Sequence, residues 1–293
     1  MSDRKAPNLT GKTVIVTGAN TGIGKVTAAA LATMGARVLL VCRSRERGAA
    51  ALAELQAETQ SDAFELFLAD MGSMASIREG AARIRDSHDR IDALVNNAGL
   101  VLSERQTSAD GHEATFAINH LGYFLFTHEL LDLLIRAAPS RIVSVSSEAH
   151  RIGDIDLDDL NFERRGYSAM RVYGTTKLMN ILFARELARR LAARGVAVTS
   201  NSLHPGTIAS QFGREGPWFI RAFYKVLGWA VKSPEQGART SIFLASDPSV
   251  EGVSGRYYSD CKPKTPSRAA RDDELAARLW AVSEQLCGLA QAG

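Results

Sequence analysis

A β-branched run, Thr13-Val-Ile-Val-Thr17, passes directly into Gly18-Ala-Asn-Thr-Gly22-Ile-Gly24 and then into an alanine-rich stretch from Lys25 to Met34. β-Branched residues suit an extended pleat, glycines allow a tight turn and alanines propagate a helix. The segment therefore reads as strand, turn and helix, the opening of a βαβ unit. A chain that leaves a strand through a helix returns in a parallel strand, so this one segment points to a parallel sheet. The spacing Gly18-x-x-x-Gly22-x-Gly24 is not the Gly-x-Gly-x-x-Gly of the common dinucleotide fingerprint, but the physics is shared: glycines let backbone approach a pyrophosphate at the helix N-terminus. A plain tight turn is the alternative, and the position directly after the first strand favours phosphate. Asn20, Thr21 and Ile23, inside the turn, are expected to share the binding with Gly18, Gly22 and Gly24.

The same alternation continues. Strands are expected at Arg37–Cys42, Phe64–Ala69, Ile91–Val95, Arg141–Ser146, Val196–Asn201 and Arg256–Tyr258, and helices over about Asp110–Arg136, through Tyr173 to about Ala193, over Pro234–Ala245 and over Asp272–Leu286. Seven strands alternating with helices, without repeats or a long linker, predict a single α/β domain over 1–293: one doubly wound (Rossmann) parallel sheet with helices on both faces. Residues 10–146 would be mainly the cofactor half, 147–260 the catalytic and substrate half with a lid near 207–232, and 261–293 a helical tail.

Ligands of such sheets bind at the carboxyl ends of the strands. Arg43 lies there at the end of the second strand, about 20 residues past the glycines, where a carboxylate would hold a ribose 2′-hydroxyl and a cation suits a 2′-phosphate. With Lys25 after the glycine turn and no acid before Glu46, NADP(H) is favoured over NAD(H). Asp70, followed by Met71, ends the third strand; it either accepts from an adenine amino group or caps the helix beginning near Ser73. Asn96-Asn97-Ala98-Gly99 follows the fourth strand and Ser147 the fifth, where a serine alone is most often a helix cap. His204-Pro205-Gly206-Thr207 follows the sixth. Asn119 stands in an apolar helical setting and needs a reason, since its amide competes for backbone bonds. Tyr173 and Lys177, four apart on a helix, address one point in space.

Lys+Arg 35 against Asp+Glu 32 gives a net charge of +3 with signs alternating along the helices, which does not imply nucleic acid. The segment Met1–Asn8 has no apolar core, no later run approaches the ~18 apolar residues of a transmembrane span, and the three scattered cysteines suit a reducing compartment. A cytoplasmic protein without a transmembrane segment is expected. No His-x-x-x-His pair or zinc spacing suggests a metal. The stretch 217–231 alternates Arg221 and Lys225 with Phe219, Phe223, Val226 and Leu227. Such an amphipathic helix fits core packing or a lid over an apolar substrate, ahead of peripheral membrane contact.

In their order, Thr17-Gly-x-x-x-Gly-Ile-Gly24, Asn96-Asn-Ala-Gly99, Asn119, Ser147, Tyr173-x-x-x-Lys177 and Pro205-Gly206 resemble the short-chain dehydrogenase/reductase family across nearly the whole chain. The 26 positions between Ser147 and Tyr173 and the tail Gly255-Arg-Tyr-Tyr-Ser-Asp-Cys261 are similar to its retinol dehydrogenase-like branch, many members of which carry an N-terminal membrane anchor. The resemblance implies Tyr173 as acid/base, Lys177 as its activator and a ribose ligand, Ser147 as donor to the substrate oxygen, Asn119 as holder of a proton-relay water, and Thr207 and Ile208 along the nicotinamide. Homo-oligomers are common in similar proteins. Lowering a phenol pKa by ~3 units takes about 4 kcal/mol, which one cation at ~4 Å supplies at an effective dielectric near 20. The function expected is NADP(H)-dependent interconversion of a carbonyl and an alcohol on a lipophilic small molecule, such as a retinal/retinol-like compound or a long-chain aldehyde or ketone. A catalytically silent NADP(H) sensor of the same fold is the alternative.

Overall fold

The computed structural model describes residues 7–206 and 232–289. In chain order its elements are β1 (Thr13–Thr17), α1 (Gly22–Thr33), β2 (Arg37–Cys42), α2 (Arg45–Thr59), β3 (Phe64–Leu68), α3 (Met74–Ser87), β4 (Ala93–Asn96), a single turn α4 (Ala114–Phe116), a π turn (Ala117–Leu121) and α5 (Gly122–Arg136). There follow β5 (Ser140–Val145), a 3-10 turn (Glu148–Ile152), α6 (Ala169–Ala193), β6 (Val198–His204), α7 (Pro234–Ser246), β7 (Tyr257–Ser259), β8 (Lys262–Pro263) and α8 (Asp273–Leu286).

The strands form one sheet in the order β3-β2-β1-β4-β5-β6-β7-β8, parallel except for β8. The order reverses between β1 and β4, so their carboxyl ends open a crevice. Side chains alternate across the strands. Ile15, Leu39, Leu94 and Ile142 point to the face covered by α3, α5, α6 and α8, while Val14, Val38, Val95 and Val143 point to the face covered by α1, α2 and α7. Both faces are therefore dry, which is why these strands are apolar throughout instead of alternating.

Several expectations need correction. The sheet has eight strands, not about seven, because the two-residue β8 folds back on β7. The fourth strand starts at Ala93, since the Asp92 carboxylate binds the Thr13 N–H at 3.0 Å and the ladder begins only beyond it. The helix expected from Asp110 starts at Ala114: Gly111 turns with φ 84°, the Asp110 carboxylate accepts from Met74 N–H, and Glu113 caps the helix through the N–H groups of Thr115 and Phe116. The lid and aromatic stretch at 207–231 lie outside the described residues. Among those described, no helix is long and apolar enough to cross a membrane.

Candidate active site

The crevice between β1 and β4 is stitched by side chains. Thr17 Oγ1 accepts from the N–H groups of Asn97 (2.9 Å) and Ala98 (3.0 Å), and Asn97 Nδ2 donates to Thr17 O at 2.8 Å. Gly18, at φ 65°, packs so closely that a Cβ there would lie 2.9 Å from Ala98 Cα, and one at Gly24 would lie 2.4 Å from Gly18 O. These two glycines thus bring protein against protein, a different reason from the room for phosphate that their spacing suggested. At the start of α1 Thr21 makes no side-chain cap, whereas Ser44 and Ser73 cap α2 and α3 at the same edge. Uncapped helical N–H groups carry partial positive charge and accept an anion.

Above this edge lies a cavity of about 420 Å³. It is lined by Gly18, Asn20, Thr21, Gly22, Ile23, Gly24, Arg43, Asp70, Met71, Asn97, Ala98 and Gly99, which is every cofactor residue expected up to Gly99. Arg47, in the first turn of α2 and four residues after Arg43 in the sequence, also lines it. So do Leu100, Val101, Leu102 and Ile118. Lys25 is not in the lining; it is ion-paired with Glu54 on α2. Asp70 does not cap α3, which Ser73 does, but accepts from Gly72 N–H at 2.9 Å to hold its own turn. An uncapped helix start, a close-packed glycine turn and guanidinium groups at the far end fit a dinucleotide with an extra phosphate.

The chemical half is built on α6. Lys177 is only 3% exposed, its Nζ donates to Val145 O at 3.2 Å, and it stands 5.4 Å from the Tyr173 ring centre and 5.8 Å from that of Tyr123. A Cβ on Gly99 would lie 3.4 Å from the same Nζ, so the lysine joins the cofactor cavity to Tyr173. Burial pushes the Lys177 ammonium down to about 7, which means that its charge, and the help it gives a phenol, are themselves sensitive to pH near neutrality.

Asn119 lies in the π turn, fully buried. Its Oδ1 accepts from Leu100 N–H (2.8 Å) while its Nδ2 donates to Leu100 O (2.9 Å) and Thr176 Oγ1 (3.1 Å). That is the reason for a helical asparagine: its amide bonds one loop residue as a neighbouring strand would. With both amide hydrogens used, a relay water would be held by the backbone opened in the π turn.

Ser147 heads the 3-10 turn, and its Oγ accepts from Ala149 N–H at 3.2 Å. Capping uses a lone pair and leaves the hydroxyl hydrogen free to donate, so the cap and donor readings are compatible. The turn rests on α6 at Gly174, where a Cβ would lie 2.5 Å from Ala149 O, and Ser146 Oγ donates to Lys177 O at 2.6 Å. Gly174 is a positioning element that sequence reading passed over, though a glycine costing about 1 kcal/mol inside a helix was a signal. Pro205 and Gly206 follow β6, with Gly206 at φ 94° against the Lys232 side chain. Thr207 and Ile208 lie outside the described residues. Among the described residues no cluster of His, Cys, Asp and Glu could hold a metal ion.

The chain is similar to known proteins. The family model for short chain dehydrogenase matches residues 12–216. Retinol dehydrogenase 13 of Homo sapiens is 45% identical over 95% of this chain and 85% of its own length, and human retinol dehydrogenase 14 is 44% identical over 95% and 87%. Among solved structures, an uncharacterized protein from Mycobacterium paratuberculosis superposes with a TM-score of 0.79 at 33% identity, covering 98% of this chain and 97% of its own. The RhlG/NADP active-site complex of Pseudomonas aeruginosa gives 0.68 at 27% identity, over 85% and 94%. The chain belongs to the short-chain dehydrogenase/reductase family, in its retinol dehydrogenase-like branch, and is an NAD(P)-dependent oxidoreductase acting on CH–OH groups.

Proposed function

We propose that the protein interconverts a carbonyl and an alcohol on a lipophilic small molecule, retinal/retinol-like or a long-chain aldehyde or ketone, with NADP(H) in preference to NAD(H). The observation that carries this reading is the buried Lys177 Nζ set between the Gly99 edge of the cavity and the Tyr173 ring. When bound, the nicotinamide supplies or takes the hydride. Tyr173 gives or takes the proton at the substrate oxygen, Lys177 favours its phenolate and binds ribose, and Ser147 donates its free hydrogen to the oxygen as charge develops. Asn119 keeps the 97–102 loop against the π turn, from which protons are replenished.

NADP(H) preference is supported by Arg43 and Arg47 at the cavity and by the absence of an acid at the end of β2. Leu100, Val101 and Leu102 add apolar lining to the cavity, suited to a lipophilic substrate, and the relatives named retinol dehydrogenases support the same class. The free thiols of Cys42, Cys261 and Cys287 support a cytoplasmic setting. Absorbance assays with NADPH and NADH over a panel of lipophilic aldehydes and ketones, retinal included, test the reading. Turnover at least 10-fold faster with NADPH is expected. NADPH binding without turnover across the panel would instead favour a sensor.

A further inference from the structure

The peptide group that joins Ser147 to Glu148 is held at both of its polar atoms by histidine rings. The N–H of Glu148 donates to His204 Nδ1 at 3.2 Å, and the N–H of Ser267 donates to His150 Nε2 at 3.1 Å. A backbone N–H can only donate, so each of these ring nitrogens presents a lone pair. The hydrogen of His204 is then on Nε2 and that of His150 on Nδ1. His150 Nδ1–H in turn donates to Ser147 O at 2.7 Å. The His150 ring, with the His150 backbone N–H at 3.0 Å, holds the carbonyl, and the His204 ring holds the N–H of the same planar unit. With both ends fixed, the plane cannot swing about the Ser147 Cα–C bond, and the direction in which the Ser147 side chain leaves the backbone is set.

The rings are themselves anchored. His150 is 1% exposed and lies edge-on to Tyr257, with centroids 5.2 Å apart. The Tyr257 hydroxyl donates to Glu148 Oε1 at 2.9 Å, where Lys264 Nζ also binds at 3.0 Å, and Arg151 Nε holds Oε2 at 3.0 Å. Burial pushes His204 down to about 4 and His150 below the usual imidazole range, despite the Glu148 carboxylate near both rings. Both thus remain neutral acceptors at pH 7. Tyr257, Lys264 and Ser267 all belong to the segment after α7, so the C-terminal part of the chain braces the turn that carries the serine.

We propose that His150 and His204 are positioning residues that lock the Ser147–Glu148 peptide group and so aim the Ser147 hydroxyl at the substrate oxygen, a role that rests on the reading of Ser147 given above. His204→Asn keeps an acceptor where Nδ1 stands; His204→Leu removes it. Steady-state kinetics on the full chain should give His204→Leu a kcat about 30-fold below wild type with the NADPH KM within about 2-fold, and His204→Asn a kcat within about 3-fold of wild type. In a Ser147→Ala background, His204→Leu should cost nothing more, because no hydroxyl remains to be aimed. An unchanged kcat in His204→Leu, an equal loss in both variants, or the same 30-fold loss on top of Ser147→Ala overturns the proposal. If the leucine variant does not fold, His204→Gln, whose amide falls one bond too far, is expected to lose about 10-fold, and wild-type turnover in it overturns the proposal equally. Full activity in Ser147→Ala alone would instead overturn the reading of Ser147 itself.

Discussion

On the proposed nucleotide side of the crevice, from β1 to β3, the edge is mostly backbone: Gly18 at φ 65° and the start of α1, which no side chain caps. Arg43, Arg47 and Asp70 are the charged residues that line the cavity there among those described. On the chemical side, from β4 to β7, the edge is made of buried side chains that reach across the fold. Lys177 meets Val145, Asn119 meets Leu100, His204 meets Glu148 and His150 meets Ser267. The first side needs shape and a diffuse positive field, which backbone supplies cheaply. The second needs a proton donor and a cation held in place with water excluded, which requires groups that are costly to bury and therefore fully engaged.

Substitutions should separate the two sides. The largest effect is expected from Lys177→Met, which removes the cation beside Tyr173: loss of about 4 kcal/mol of assistance corresponds to roughly 10³-fold in kcat. The same change should stabilise the cofactor-free protein at pH 6–7, on the order of 2 kcal/mol, by removing a buried ammonium. Below pH 7 the lysine is protonated in both the folded and unfolded chains and the burial penalty is complete. Between about 7 and 10.5 the unfolded chain keeps a proton that the folded chain has released, so wild-type stability rises with pH and the gap closes. Urea unfolding of both proteins at pH 6.5 and 10 measures this, and an equal gap at the two values would refute the burial argument.

Gly24→Ala should act mainly on the nucleotide side. Its Cβ would meet Gly18 O at 2.4 Å and Asn97 Nδ2 at 2.5 Å, so the turn must shift. About 1–3 kcal/mol of stability and a 10- to 100-fold weaker NADPH affinity by fluorescence titration are expected. The smallest effects lie at the open rim. Arg43→Asp should lower the NADPH over NADH preference in kcat/KM by about 10- to 100-fold, and Arg47→Asp by several-fold, with NADH turnover preserved in both. Equal losses with the two cofactors would mean that neither arginine reads the extra phosphate.

The nucleotide side is the more legible in sequence because its glycine turn is local, although the bonds that tie Thr17 to Asn97 and Ala98 span 80 and 81 positions. β1 and β2 have the bounds their β-branched runs suggest, and glycines within seven residues mark the turn. The chemical side depends on contacts 19 to 117 positions apart, from Asn119 with Leu100 to His150 with Ser267, which leave no spacing to read. Polar residues also hide the end of one of its strands. β6 was expected to end at Asn201 but continues through Ser202 and Leu203 to His204, because Asn201 bonds Val253 O and His204 bonds Glu148 N–H, so buried polar groups behave as strand residues. Tyr173 and Lys177 were found through their helical spacing and their company. The burial that makes Lys177 titrate near neutrality, and the Gly174 contact that seats the serine turn, required the fold.

Tyr173→Phe tests the central claim most directly, because it removes one oxygen and leaves the ring beside Lys177. NADPH fluorescence titration and turnover of the best aldehyde from the panel should be measured on the same preparation. NADPH affinity within about 3-fold of wild type with turnover reduced at least 10³-fold is predicted. Turnover within 10-fold of wild type would contradict the assignment of the proton to Tyr173.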